Sequence, residues 1–257
     1  MGVLLDDENI EYINREMSNA VSPSTGERRS TMTSATVNGK GSYDVIVPKF
    51  QKLIEGRGTK DYYLRGTFTR FHQDFAEDVK ALASIGRNIS VEPVVGKEED
   101  PYASRRQICR LKAEYERLAE YLRDHPETNF FHFNVDLAQG PCVIKRLRGC
   151  GAGCEYVAIT PDGDIYPCHQ FVGREEYRMG NVRSGDFDMD ISGKFAELNI
   201  YTREDCRNCW ARFYCSGGCS ASNLLVNGDI KKPNAVACEM ERKRLECAIA
   251  LRAIAAG

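Results

Sequence analysis

The chemistry of this chain is concentrated in its cysteines. The run Cys206-Arg-Asn-Cys209-Trp-Ala-Arg-Phe-Tyr-Cys215-Ser-Gly-Gly-Cys219 has the spacing C-x2-C-x5-C-x3-C. Two residues between thiols let one loop offer both to one metal centre, and the wider intervals turn the chain so that the later sulfurs diverge. Upstream lie Cys150-Gly-Ala-Gly-Cys154 and Cys168; downstream lies Cys238. These eight thiols are the number that two [4Fe–4S] clusters with four cysteine ligands each require, whereas one zinc site would strand half of them. Gly217 and Gly218 carry no side chain to hold backbone amides away from inorganic sulfide, and such N–H···S contacts help set a reduction potential. Two iron–sulfur clusters are therefore expected, with a zinc-binding interaction domain as the alternative.

Other candidates are weaker. Cys109, Cys142 and Cys247 have no partners at ligand spacing and read as plain thiols. His169 follows Cys168 directly, but with enough thiolates at hand it is expected beside the ligands rather than among them. His72, His125 and His132 are scattered and support neither a triad nor a zinc site. Trp210, Phe213 and Tyr214 sit between ligands, where aromatic rings would shield a cluster from water.

Bulk properties narrow the setting. A net charge of −2 provides no basic field for nucleic acid or anionic lipid. No apolar run is long enough for a bilayer, and MGVLLDDENIEY lacks the basic start and apolar core of a secretory signal. The expected location is the cytoplasm, where eleven cysteines point to metal rather than disulfides.

The elements that must position these thiols fall into two parts, with a boundary near residue 148. Residues 1–148 have α/β rhythm. Helices are expected over Asp6–Met17, Tyr43–Glu55, Phe71–Ile85 and Tyr102–Arg123, and strands over Asp61–Phe68 and Ile89–Val95. About three strand–helix units of this kind are too few to close a barrel. Val21–Thr36, rich in Ser, Thr and Arg, reads as loop rather than strand. From 149 to 257 glycine and cysteine multiply. Tyr156–Pro167 reads as two strands around a Pro-Asp-Gly-Asp turn, and Val236, Met240, Leu245, Ile249 and Leu251 suggest a closing helix.

The cysteine pattern, with Gly163-x4-Cys168 ahead of it and Cys238 behind, resembles the SPASM domain. That is the auxiliary-cluster domain of radical S-adenosylmethionine (SAM) enzymes that modify peptides. The segments GCEYVAITPDGDIYPCHQFVG (153–173), MGNV (179–182), CWARFYCSGGCSASN (209–223), KAEYERLAEYL, YYLRGTFTRF and NISVEPVV are similar to the thioether-forming maturases of six-cysteine (SCIFF) peptides. The resemblance implies the C-terminal part of a (β/α) partial barrel over 1–148 and a SPASM domain over 149–257. It implies an outer cluster on Cys206, Cys209, Cys215 and Cys238, and an inner one on Cys219, Cys168, Cys154 and Cys150. A three-cysteine inner site without Cys150, leaving an iron open to a substrate thiolate, is the other form it allows. Arg65 would face the SAM carboxylate and Glu92 would line the same pocket. The implied partner is a Cys-rich ribosomal precursor peptide.

The departures matter as much. Radical SAM chemistry needs a C-x3-C-x2-C loop whose three thiolates leave one iron free for SAM. Cys150–Cys154 and Cys215–Cys219 have its first interval, but Val157 and Ser222 stand where the third cysteine would be. The chain thus reads as a C-terminal fragment, with SAM bound only in an intact homologue and an N-terminal radical SAM half encoded separately. Val21–Thr36 and Ala103–Arg110 resemble locally shifted reading frames. A non-catalytic electron-transfer or peptide-binding module using the same clusters is the competing expectation.

Overall fold

The computed structural model describes residues 2–23, 41–94, 96, 108–135 and 146–256. They form two compact units: Met1–Val135 with Lys243–Gly257, and Asp136–Arg242.

The first unit is built on four parallel strands in the order β1 (Asn19–Pro23), β2 (Asp61–Phe68), β3 (Asn88–Pro93) and β4 (Asn129–Phe130). Helices α1 (Asp7–Glu16), α2 (Tyr43–Glu55), α3 (Phe75–Ala83) and α4 (Ile108–Asp124) come between or before them. α1 starts where Asp6 caps it, its carboxylate accepting from the Asn9 amide at 2.9 Å. β2 alternates strictly: Leu64, Gly66 and Phe68 are buried, while Arg65 and Thr67 are exposed. Its apolar face joins Ile89, Val91, Phe75, Val79, Leu82, Leu111, Tyr115 and Leu118 in the core. Its polar face lies in register with Ser90 and Glu92 of β3.

One buried arginine ties this unit's turns together. Arg57, 3% exposed, donates to the carbonyls of Ile13, Met17, Ser18 and Asp61 over 2.6–3.2 Å, so its guanidinium joins the end of α1 to the start of β2.

The second unit carries a four-stranded antiparallel sheet of short strands: β5 (Ala158–Ile159), β6 (Asp164–Tyr166), β7 (Gly180–Asn181) and β8 (Asp186–Phe187). The turn between β5 and β6 closes where the Gly163 amide meets the Thr160 carbonyl at 2.9 Å, with Gly163 at φ +92°. Asp164 accepts from Asn181 at 2.9 Å and Arg178 at 2.8 Å. Behind the sheet, Ile165, Phe171, Met179, Ile191, Phe195 and Leu198 make a core of their own. Helices α5 (Met189–Ala196), α6 (Arg212–Cys215) and α7 (Ser220–Asn227) follow, and α8 (Ala235–Ala256) closes the chain.

Several expectations are corrected. Val21–Pro23 are strand, paired with Tyr63, Leu64 and Arg65, because β2 supplies the partner hydrogen bonds that composition cannot show. The rest of the Ser/Thr/Arg-rich stretch, Ala103–Gln107 and Cys142 lie outside the described residues. α3 begins at Phe75 rather than Phe71, since Thr69 and His72 form a bridge that turns the chain first. On α8 Ile249 is exposed, and the buried positions are Met240, Arg244, Leu245, Cys247 and Ala248.

Candidate metal centre

All ten described cysteines are free. Cys206, Cys209, Cys215 and Cys238 line one cavity of about 330 Å³, together with Ala211, Arg212, Pro233, Ala235 and Arg242. Three of these thiols come from one compact turn system. A 3-10 turn, Glu204–Cys206, presents Cys206; the Cys209 amide then donates to the Cys206 carbonyl at 3.1 Å, and α6 ends on Cys215. The fourth comes from the first turn of α8, where the Cys238 amide donates to the Asn234 carbonyl at 2.9 Å.

The chain then reverses sharply. Ser216, Gly217 and Gly218 are all left-handed, at φ +60°, +87° and +71°. Glycine is needed at position 217 for more than its dihedral, because a Cβ there would stand 3.0 Å from Arg203 Cδ. The reversal aims the Gly217 amide at Cys215, whose sulfur accepts its hydrogen bond. It also delivers Cys219 to the head of α7, away from the cavity that holds its four predecessors.

Cys219 joins a second group. Cys150 and Cys154 line a small pocket with Gly151, Gly218 and Ser220. Cys168, buried at the end of the hairpin, accepts from the backbone amides of Gln170 and Phe171 and senses the charges of Cys219 and Cys150. The Tyr156 hydroxyl donates to Cys150 Sγ at 3.7 Å. Its acidity is lowered first by burial and then by that bond, with Cys168 and Cys219 adding to it. Two thiol groups thus emerge: four on one cavity, and Cys150, Cys168 and Cys219 around Tyr156 with Cys154 in the pocket beside Cys150.

Burial dominates their electrostatics. It pushes the Cys215 thiol up to about 12, helped by Glu241 and Cys238, and the Cys238 thiol up to about 11, helped by Cys206. Cys206 and Cys168 are also raised, again chiefly by burial. Crowded thiols of this kind ionise readily only when a positive metal arrives, and binding it releases their protons. Among the described residues no three His, Cys, Asp or Glu side chains converge closely enough for one ion. Four thiols spread around a common cavity suit a group several ångströms across, in which each sulfur meets a different iron.

The aromatic shield is not where it was expected. Trp210 is 50% exposed, and neither it nor Phe213 nor Tyr214 lines the cavity; Tyr214 instead stacks under Arg146. Ala211, Pro233 and Ala235 supply the apolar wall. His169 is exposed. Cys109 is an exposed helical thiol, and Cys247 is buried against the Tyr115 carbonyl.

In the first unit, Arg65 lies exposed on the polar sheet face, paired in register with Ser90. Glu92 meets Arg244 Nη2 and His132 Nε2, each at 3.1 Å, and Ser90 Oγ lies 3.2 Å from the same imidazole nitrogen. Burial alone would raise the Glu92 carboxyl, but Arg244 and His132 outweigh it and hold it below its ordinary range. Burial and Arg244 push His132 down to about 3 against the pull of Glu92, so the ring is neutral near pH 7. Sequence reasoning singled out Glu92 and missed Arg244 and Arg57. The signal for Arg244 was its place on a helix face of otherwise apolar residues.

Comparison with known proteins adds to this geometry. Residues 150–210 match SPASM, an iron–sulfur cluster-binding domain. The whole chain superposes on native anSMEcpe with bound AdoMet and Cp18Cys peptide, with a TM-score of 0.72 and 15% identity over 99% of this chain and 74% of that one. The fold is that of a radical SAM enzyme with a SPASM domain. SuiB of Streptococcus suis bound to precursor peptide SuiA superposes with a TM-score of 0.58 and 15% identity, over 91% of this chain and 56% of SuiB. In sequence, the chain is 25% identical to mycofactocin maturase MftC of Mycolicibacterium smegmatis over 206 residues, 77% of this chain. It spans about half, 52%, of that relative's length. No helix among the described residues is long and apolar enough to cross a membrane.

Proposed function

We propose that this chain is the auxiliary-cluster portion of a radical SAM/SPASM peptide maturase that forms cysteine thioether cross-links. Residues 1–148 would be part of the SAM barrel and 149–257 the auxiliary domain. The observation that carries the reading is the convergence of Cys206, Cys209, Cys215 and Cys238 on one cavity. They would hold one [4Fe–4S] cluster, and Cys219, Cys168, Cys154 and Cys150 a second. When bound, such clusters supply one-electron transfer and, where an iron is left open, affinity for a thiolate. The likeness to enzymes solved with peptides supports a precursor peptide as partner, and the resemblance to six-cysteine peptide maturases is what makes a Cys-rich one the proposal.

Forming a C–S bond from a C–H and an S–H removes two hydrogens from the peptide. One leaves as an atom, taken by the deoxyadenosyl fragment of SAM; the other leaves as a proton and an electron. Clusters held by the two thiol groups of the second unit would give that electron a route, while the chain's turns fix each sulfur and Ala211, Pro233 and Ala235 line one cavity with apolar surface. Arg65, on the polar sheet face, would meet the SAM carboxylate, with Glu92 held by Arg244 beside it. The C-x3-C-x2-C loop that cleaves SAM is not among these 257 residues.

Anaerobic reconstitution tests the reading. A brown protein with about eight iron and eight sulfide per chain is expected, without 5′-deoxyadenosine on adding SAM and reductant. A colourless protein with stoichiometric zinc would overturn it.

A further inference from the structure

The second unit contains a buried cation that its own protein atoms do not satisfy. Arg203 is 3% exposed. Its Nη2 donates to Ser220 Oγ at 2.9 Å, but Nε and Nη1, both buried, have no hydrogen-bond partner. A guanidinium carries five donors and stays charged, so leaving two faces of it dry and unpaired is costly. Arg57 in the first unit shows the ordinary solution, with five hydrogen bonds to carbonyls.

Its surroundings indicate what would complete it. Once ionised by a metal, Cys206, Cys215 and Cys219 would be the charges that bear most on Arg203, followed by Asp229. Cys206 and Cys215 line the four-thiol cavity, Cys219 belongs to the other group, and Arg203 itself lines the pocket of Cys150 and Cys154. It therefore stands at both thiol groups. Gly217 makes room for it: a Cβ there would approach Nε to 3.1 Å. Two other cations line the four-thiol cavity. Arg242, part exposed, is bonded to Glu239 and Cys209. Arg212, also part exposed, donates from Nη1 to the Cys209 carbonyl at 3.2 Å and keeps a buried Nε without a partner.

We propose that Arg203 is a positioning residue shared by the two auxiliary clusters, its unpartnered Nε–H and Nη1–H donating to the sulfurs of thiolate-ligated iron and its charge raising their reduction potentials. This rests on the two-cluster reading. A cluster ligated by thiolates is anionic and becomes more so on reduction, so a fixed cation in a low-dielectric site favours the reduced form.

The test uses the full chain, reconstituted anaerobically, as wild type, Arg203→Lys and Arg203→Met. Iron is counted in each, and midpoint potentials are read by EPR-monitored titration. Arg203→Met should shift at least one cluster negative by about 59 mV or more, a tenfold change in the reduced-to-oxidised ratio for a one-electron couple. Arg203→Lys should retain most of the wild-type potential. If Arg203→Met cannot hold iron, retention of full iron by Arg203→Lys supports the charge role. Equal potentials in all three, or equal loss of iron in both variants, would overturn it. A wild-type chain with no iron would instead remove the two-cluster reading, leaving Arg203 without a cluster to serve.

Discussion

The two units satisfy their buried polar groups in opposite ways. In the first, Arg57 finds four carbonyls, and Glu92 finds Arg244 and His132. In the second, four thiols face one another across a cavity, and Arg203 keeps two donors without partners. Protein atoms alone complete the first arrangement; the second is shaped for a thiophilic metal group that becomes anionic once thiolates ligate it. A close-packed interior does not tolerate such a deficit for nothing, so unpaired donors beside raised thiols mark a binding site more firmly than either would separately.

The contrast can be broken most directly at the cavity. Cys238→Ser should remove about half the iron, one cluster of two, and leave the far-UV circular dichroism of the chain nearly unchanged; full iron in this variant would mean that Cys238 is no ligand. Arg57→Met should do the reverse. Four part-buried carbonyls lose their donor, so the first unit should be destabilised by about 4 kcal/mol or more in urea unfolding, at unpaired-group costs of about 1–3 kcal/mol each, while iron content holds.

Acid separates the units in another way. His132 is held neutral in the fold, with its pKa down at about 3, whereas unfolded histidine titrates near about 6.5. Between those values the unfolded chain binds the extra proton, so stability falls as pH drops from about 6.5 toward about 3. His132→Gln should flatten that acid limb; an unchanged slope would show that the ring is protonated in the fold. The smallest effect is expected at Trp210. Exposed and outside the cavity, Trp210→Ala should alter stability by no more than about 0.5 kcal/mol and leave the visible spectrum unchanged.

Much of this was legible from residue order. Tyr43–Glu55 and Asp61–Phe68 are found at the expected bounds, because each carries an unbroken period of its own. The Pro-Asp-Gly-Asp turn was equally plain, since turn chemistry is local. β1 was not legible: Asn19–Pro23 is held by hydrogen bonds from a strand about forty residues on, and its own composition argues against it. The grouping of Cys206, Cys209, Cys215 and Cys238 came from the resemblance and not from spacing alone, which cannot say that the fifth cysteine turns away. That depends on three left-handed residues, of which only the two glycines gave a sign. Arg57 and Arg203 were invisible for a common reason. A buried charge has no period of its own, and most of the groups that hold it, Ile13, Met17 and Ser18 for Arg57 and Ser220 for Arg203, lie many residues away.

The strict alternation of β2 also bears on which genetic changes this chain could survive. A substitution in Asp61–Phe68 disturbs one side chain, but a single inserted or deleted codon would exchange the two faces beyond it. An insertion between Asp61 and Leu64 would send Phe68 toward the polar side and bring a charged neighbour inward. The Arg183–Gly185 turn between β7 and β8 is exposed, and a Cβ on Gly185 would meet no atom within 4 Å. Length variation among natural or engineered versions should accumulate there and be purged from β2.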